Sequence, residues 1–212
     1  MKIKKYPQSC IMVEAKGTKI LVDPGIVKFE DKFLDEWKKA DVILITHRHS
    51  DHIDASFLNE VNIPIYSTKE VSDFNPNLKI NLIKNGDLLQ FNEVEVEVVN
   101  AIHGYVMAGG EIFENVGFII NDKTNRLYIT SDTIRFKHNY NADILFANIT
   151  AFDASMNLWG AIQTFKEVGA KVLIVAHQDA GKMMYTKDQI CDYLNEQNIN
   201  FVIPQICDVL EY

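Results

Sequence analysis

The stretch Thr46-His47-Arg48-His49-Ser50-Asp51-His52-Ile53-Asp54 limits what this chain can become more than any other part of it. It gathers three of the six histidines and two carboxylates within eight residues, directly after the apolar run Val42-Ile43-Leu44-Ile45. A short β-branched run of that kind reads as a buried strand, so the cluster sits where a strand gives way to a loop. Imidazole and carboxylate together are the ligand set of zinc and its first-row neighbours, and four donors this close point to more than one ion. The competing reading is a solvated, His-rich surface loop. That reading suits a single histidine far better than His-x-His-x-Asp-His at a strand end.

Three more strand-like segments finish in the same way. Residues 93–100 alternate Glu with Val and lead to His103. Arg126-Leu127-Tyr128-Ile129-Thr130 leads to Asp132, and Lys171-Val172-Leu173-Ile174-Val175-Ala176 leads to His177. Donors at the ends of separate strands are the arrangement of a site on loops held by a rigid sheet. His138 breaks the pattern. It lies in the polar stretch Lys137-His138-Asn139-Tyr140-Asn141, which reads as a loop, and is expected to be solvated.

The order of elements points to a layered α/β architecture. Strands are expected near 3–6, 10–14 and 19–22, the last closing on Asp23-Pro24-Gly25, then at 65–66, several times between 79 and 130, and near 143–146, 171–176 and 201–203. Helical segments are expected over 32–39, 55–61, 158–168 and 187–197. At 212 residues, 47% of them hydrophobic, the chain can bury one substantial core. It carries no Pro/Gly/Ser-rich linker, low-complexity tract or repeat, so residues 1–212 are expected to form one domain. A net charge of −8 argues against a general nucleic-acid binder. No segment reaches the length of a membrane span, and the lysines of the N-terminus have no apolar run behind them, unlike a signal peptide. Cys10, Cys191 and Cys207 are isolated and odd in number, which suits buried free thiols in a reducing cytoplasm. The aromatic residues Phe152 and Trp159 are expected in the core.

Together these residues resemble the metallo-β-lactamase superfamily, whose fold is a four-layer αββα sandwich. The His-x-His-x-Asp-His string is the most specific point of likeness. His103, Asp132 and His177 follow in the right order at strand ends, and Ile20-Leu21-Val22-Asp23-Pro24-Gly25 is similar to the family's early strand and turn. The resemblance implies that His47, His49 and His103 hold a first metal, that Asp51, His52 and His177 hold a second, and that Asp132 bridges both. Within the superfamily, the compactness of the chain suggests the small bacterial hydrolases similar to the L-ascorbate-6-phosphate lactonase group, a likeness shared by Ser155-Met156-Asn157 ahead of a helix. The chain departs from that branch at Pro7-Gln8-Ser9, where Gly-His-Ser is common. It departs again at Ser131, where Gly usually precedes the bridging Asp, and at Gln178, where an aromatic residue is commoner.

The chemistry this implies is hydrolysis. A carboxylate such as Asp132 has two oxygens and can span two cations, whereas an imidazole binds one. Two divalent ions, zinc foremost with manganese or iron as alternatives, would create a hydroxide nucleophile and polarise a carbonyl or phosphoryl oxygen. Asp51 and Asp132 are then the carboxylates nearest the reaction. The expected substrate is a small ester, lactone, amide or phosphoester; nucleic acid and membrane are not expected partners, and a homo-oligomer is compatible with the sequence. Three other functions stand beside this one: a mononuclear iron oxygenase of the persulfide-dioxygenase type, a small nuclease, and a non-catalytic metal-binding protein. Asp23 and Asp54 each admit two readings. Either could orient a metal-bound histidine, but Asp23 also starts a turn and Asp54 is also placed to cap a helix.

Overall fold

The computed structural model describes residues 1–105, 111–150, 154–178 and 185–212. Phe152 lies outside them. The first six strands are β1 (Lys2–Lys5), β2 (Ile11–Ala15), β3 (Thr18–Val22), β4 (Val42–Leu44), β5 (Ile65–Ser67) and β6 (Ile80–Leu82). They form one sheet with the last strand, β14 (Val209–Glu211), in the order β14-β1-β2-β3-β4-β5-β6. The second sheet contains β7 (Leu88–Phe91), β8 (Val94–Asn100), β9 (Val116–Asn121), β10 (Arg126–Ile129), β11 (Ile144–Asn148), β12 (Val172–Ala176) and β13 (Phe201–Val202), ordered β13-β12-β11-β10-β9-β8-β7. Each sheet is antiparallel at one side and parallel at the other, with β3 to β6 and β10 to β13 as the parallel portions.

Alternation along the strands builds the layers. Ile20, Val22, Val42 and Leu44 of the first sheet meet Phe118, Ile120, Ile144, Phe146 and Ile174 of the second in a shared inner core. Their neighbours point outward, Leu21 and Ile43 onto Phe57 and Leu58 of α2 (Ala55–Glu60) and onto Trp37 of α1 (Leu34–Trp37). On the far side, Leu145, Leu173 and Val175 meet Leu158, Ala161 and Ile162 of α4 (Leu158–Val168) and Ile190 and Leu194 of α5 (Lys187–Glu196). Strands covered on both faces must be apolar at nearly every position, which is why β4, β11 and β12 read as unbroken hydrophobic runs. The result is the expected αββα sandwich. A further short helix, α3 (Lys69–Phe74), and strand β14 were not foreseen.

Three expectations are corrected. His138 is not solvated but buried, 3% exposed, with its ring stacked on Phe136 at 4.2 Å and edge-on to Tyr128 and Tyr140. The loop that carries it folds back over β10, so a polar stretch in sequence still inserts its aromatic and imidazole members. Trp159 is 56% exposed. Its helix turns Leu158, Ala161 and Ile162 inward, and a residue one step along from Leu158 is rotated about 100° away. Of the cysteines, Cys10 is buried, whereas Cys191 is half-buried and Cys207 is exposed in the turn before β14. Burial raises the Cys10 thiol pKa well above the ordinary range, as expected of an unreactive core thiol.

His138→Ala should therefore behave as a core truncation, lowering stability by about 1–3 kcal/mol while leaving metal content unchanged. Denaturant unfolding and elemental analysis on the same variant check both halves. A loss of metal would return His138 to the candidate site.

Candidate metal centre

The metal-ligand candidates converge on one rim of the sandwich. His47, His49, Asp51 and His52 lie on the loop after β4, His103 on the loop after β8, Asp132 just beyond β10, and His177 immediately after β12. The parallel registers Ile129↔Phe146 and Asn148↔Ala176 bring the ends of β10, β11 and β12 level, and the β9–β10 pairing locks β10 to the sheet that carries His103. Ligand atoms of His47, His49 and His103 lie within 4.8 Å of one another, and so do those of Asp51, His52, Asp132 and His177. The two groups abut, the His47 and His52 rings being 4.1 Å apart. All seven residues singled out from the sequence are thus brought together.

Three of the rings are held from behind. His52 Nδ1 donates to Asp23 Oδ2 at 2.8 Å, and His103 Nδ1 donates to the Gly104 carbonyl at 2.6 Å. His47 Nδ1 lies 3.0 Å from Thr46 Oγ1, which itself donates to Asp23 Oδ2 at 2.9 Å. With Nδ1 so occupied, Nε2 is the coordinating atom left to these three rings. The Nε2 atoms of His47, His49, His52 and His103 are buried and have no hydrogen-bond partner. Buried imidazole nitrogens rarely go unsatisfied, and four of them beside two carboxylates are the donor set of a metal centre. Divalent cations fit these residues.

The electrostatics divide the same way. Burial, then the nearby histidines, holds His47 well below the ordinary histidine pKa, and burial lowers His49 too. Burial also opposes charge on His52 and His177, but Asp23, Asp132 and Asp51 around the first, and Asp132 and Asp51 around the second, outweigh it and raise both. Burial would raise Asp51 and Asp132. The imidazoles of His52 and His177 prevail and keep both carboxylates below their usual range. Asp51 Oδ2 is 3.0 Å from His177 Nε2. One group is therefore three imidazoles, two of them held neutral, and the other pairs two carboxylates with two imidazoles whose charged forms they favour.

The turn that carries Asp23 is fitted to the metal loop. Asp23 is fully buried, and its Oδ1 also accepts from the Thr46 backbone N–H at 2.8 Å. Ile26 N–H reaches the Ser50 carbonyl at 2.8 Å. A Cβ on Gly25 would fall 2.0 Å from the Asp51 carbonyl oxygen, so only glycine allows this approach. Of the two ambiguous aspartates, Asp23 thus backs a histidine. Asp54 caps α2, accepting from the Ser56 and Phe57 amides.

Strand ends here carry backbone strain. Asp23 (φ 51°), Ser131 (φ 61°) and His177 (φ 64°) all occupy the left-handed region that glycine favours, at about 1–3 kcal/mol each. A glycine, which the resemblance leads one to expect at position 131, would adopt this conformation without strain. The serine here donates from Oγ to Asn115 Oδ1 at 2.7 Å, and Asn115 Nδ2 donates to the Asp132 carbonyl at 2.8 Å. Arg48, between the two histidines, points elsewhere. It binds Glu70 Oε1 at 2.8 Å and lies over the Phe74 ring, anchoring the loop to α3. Thr46, Asn115 and Asn148 were missed as supporting residues. Asn148 left a legible trace, being a polar residue that ends the apolar run Ile144-Leu145-Phe146-Ala147.

Fold and site together define a four-layer αββα protein built to hold metal between its sheets. Residues 2–177 match the family model described as Beta-lactamase superfamily domain, and the chain belongs to the metallo-β-lactamase superfamily. It is 31% identical over 140 residues to a protein of Flavobacterium johnsoniae named as a metal-dependent hydrolase, a stretch covering 63% of this chain and 62% of that relative. The match thus spans less than two thirds of the relative's length. Among solved structures, a metallo hydrolase from the archaeon Ignicoccus hospitalis superposes with a TM-score of 0.81 at 18% identity, covering 100% of this chain and 98% of the other. An isothiocyanate hydrolase from Delia radicum gut bacteria gives a TM-score of 0.81 at 16% identity, covering 100% and 99%. These two likenesses are of fold.

Gly25→Ala should displace the Asp51–His52 backbone, costing about 1–3 kcal/mol as an overpacked contact does and lowering metal content with it. Denaturant melts and elemental analysis of the purified variant measure the two effects. Unchanged values for both would mean that the Gly25 contact does not shape the loop.

Proposed function

We propose that this chain is a metal-dependent hydrolase acting on a small ester, lactone, amide or phosphoester. His47, His49 and His103 would hold one divalent cation, Asp51, His52 and His177 a second, with Asp132 shared between them. One observation carries the reading: four buried Nε2 atoms without partners, on rings whose neighbours form two adjoining donor groups. Zinc suits the set best, with manganese and iron as alternatives. When bound, such ions supply Lewis-acid polarisation of a substrate oxygen and a water acidified towards neutrality.

The chain's own part is to hold, orient and move a proton. His47 and His49, kept neutral, offer their lone pairs without first releasing a proton. Asp23 fixes His52 directly and His47 through Thr46. Asp51 has a side chain 22% exposed where that of Asp132 is 5% exposed, so it is the carboxylate open to solvent. It is placed to accept a proton from water and return it to a leaving group. Ile102 and Tyr105, exposed on either side of His103, offer apolar contact to the organic part of a substrate. The acidic chain supports a small molecule over a polyanion, whose binding needs Lys and Arg to displace counterions. Among the described residues, no helix is long and apolar enough to cross a membrane.

Metal-loaded protein should turn over at least one member of a panel of lactones, thioesters, amides and phosphodiesters, and chelation should abolish the activity. His49→Ala and His52→Ala should fall to background and lose metal. Oxygen consumption with a thiol or persulfide substrate, in place of hydrolysis, would favour the oxygenase reading. Cleavage of structured RNA or single-stranded DNA, with binding that weakens steeply as salt rises, would favour the nuclease.

A further inference from the structure

We propose that Asn148 is a positioning residue which, by hydrogen-bonding one oxygen of Asp132, holds the carboxylate turned so that its other oxygen faces both donor groups. The inference rests on the metal-centre reading above. Asn148 ends β11 and is fully buried. Its Nδ2 donates to Asp132 Oδ1 at 2.7 Å and to Ser9 Oγ at 2.6 Å, which uses both amide hydrogens. Its backbone N–H is tied to Thr130 Oγ1 at 3.2 Å, and across the parallel ladder it stands opposite Ala176, the residue before His177. The amide has one workable orientation. Turned over, its carbonyl would face the Asp132 carboxylate, oxygen against oxygen.

What remains of Asp132 is Oδ2. It lies 3.4 Å from His52 Nε2, 3.6 Å from His177 Nε2 and 3.8 Å from His103 Nε2. One oxygen thus faces nitrogens from both donor groups, while the other is tethered to an amide. The hydrogen bond fixes the rotation of the carboxylate, and with it the direction in which Oδ2 points. Ser9 precedes β2 and Asn148 ends β11, so the clamp also joins the two sheets at the rim.

The test is a zinc titration by chelator competition, with the visible spectrum of the cobalt form recorded in parallel. It uses wild type, Asn148→Ala and the near-isosteric Asn148→Leu. Outer partners of metal ligands change affinity by about ten- to a hundred-fold when removed. Both variants should show the weaker of the two equivalents loosened by that factor, with an altered cobalt spectrum. Metal-free unfolding midpoints then separate positioning from stability: in at least Asn148→Leu, which keeps the volume, the midpoint should stay near wild type. Wild-type affinity for both equivalents in either variant would overturn the inference. So would equal loosening of both equivalents in step with a fall in metal-free stability. Failure of wild type itself to take up zinc or cobalt would sink the underlying metal reading instead, so the two failures are distinguishable.

Discussion

Everything at the site depends on two sheets packing face to face over a single apolar layer. Because β4, β11 and β12 are covered on both sides, their side chains must be apolar until the strand leaves the sandwich. The first polar positions therefore fall together at the rim. In-register parallel pairing of β10, β11 and β12 then sets Asp132, Asn148 and His177 level with one another. The first sheet brings the His47–His52 loop to the same edge from the other side. A metal centre between two rigid sheets needs little from the loops beyond the right residue at each strand end.

The rim is costly to maintain with its buried nitrogens unsatisfied. A buried polar group left unsatisfied costs about 1–3 kcal/mol, and four Nε2 atoms are in that position. Left-handed backbone at Asp23, Ser131 and His177 adds strain. Against a typical net stability of about 5–15 kcal/mol, these terms are large enough that the fold would gain from whatever ligand satisfies them. Strained residues and unpartnered donors in one place mark where a fold has been shaped for binding more than for stability.

The ligand candidates were legible because metal chemistry restricts residue types so sharply. His47, His49, Asp51 and His52 declare themselves as a string, and His103, Asp132 and His177 each follow a strand-like segment. The layers were legible from the same runs. Residues whose meaning depends on three-dimensional neighbours were not. His138 sits among polar residues in sequence yet packs against Phe136, Tyr128 and Tyr140. Trp159 looks like a core residue until the helix phase turns it outward. Asp23 and Asp54 are the same residue type in similar turn contexts, and only the fold shows that one backs His52 and the other caps a helix. Asn148 has no ligand chemistry of its own, so its role emerges only from the atoms it touches.

The most direct test is anomalous diffraction from crystals grown with zinc, measured on both sides of the zinc absorption edge. The account predicts two peaks per chain, one among the Nε2 atoms of His47, His49 and His103 and one among Asp51, His52 and His177, with Asp132 between them. A single peak with Asp51 and His177 uncoordinated would contradict the two-cation centre, and zinc bound elsewhere with these imidazoles left free would contradict the centre altogether.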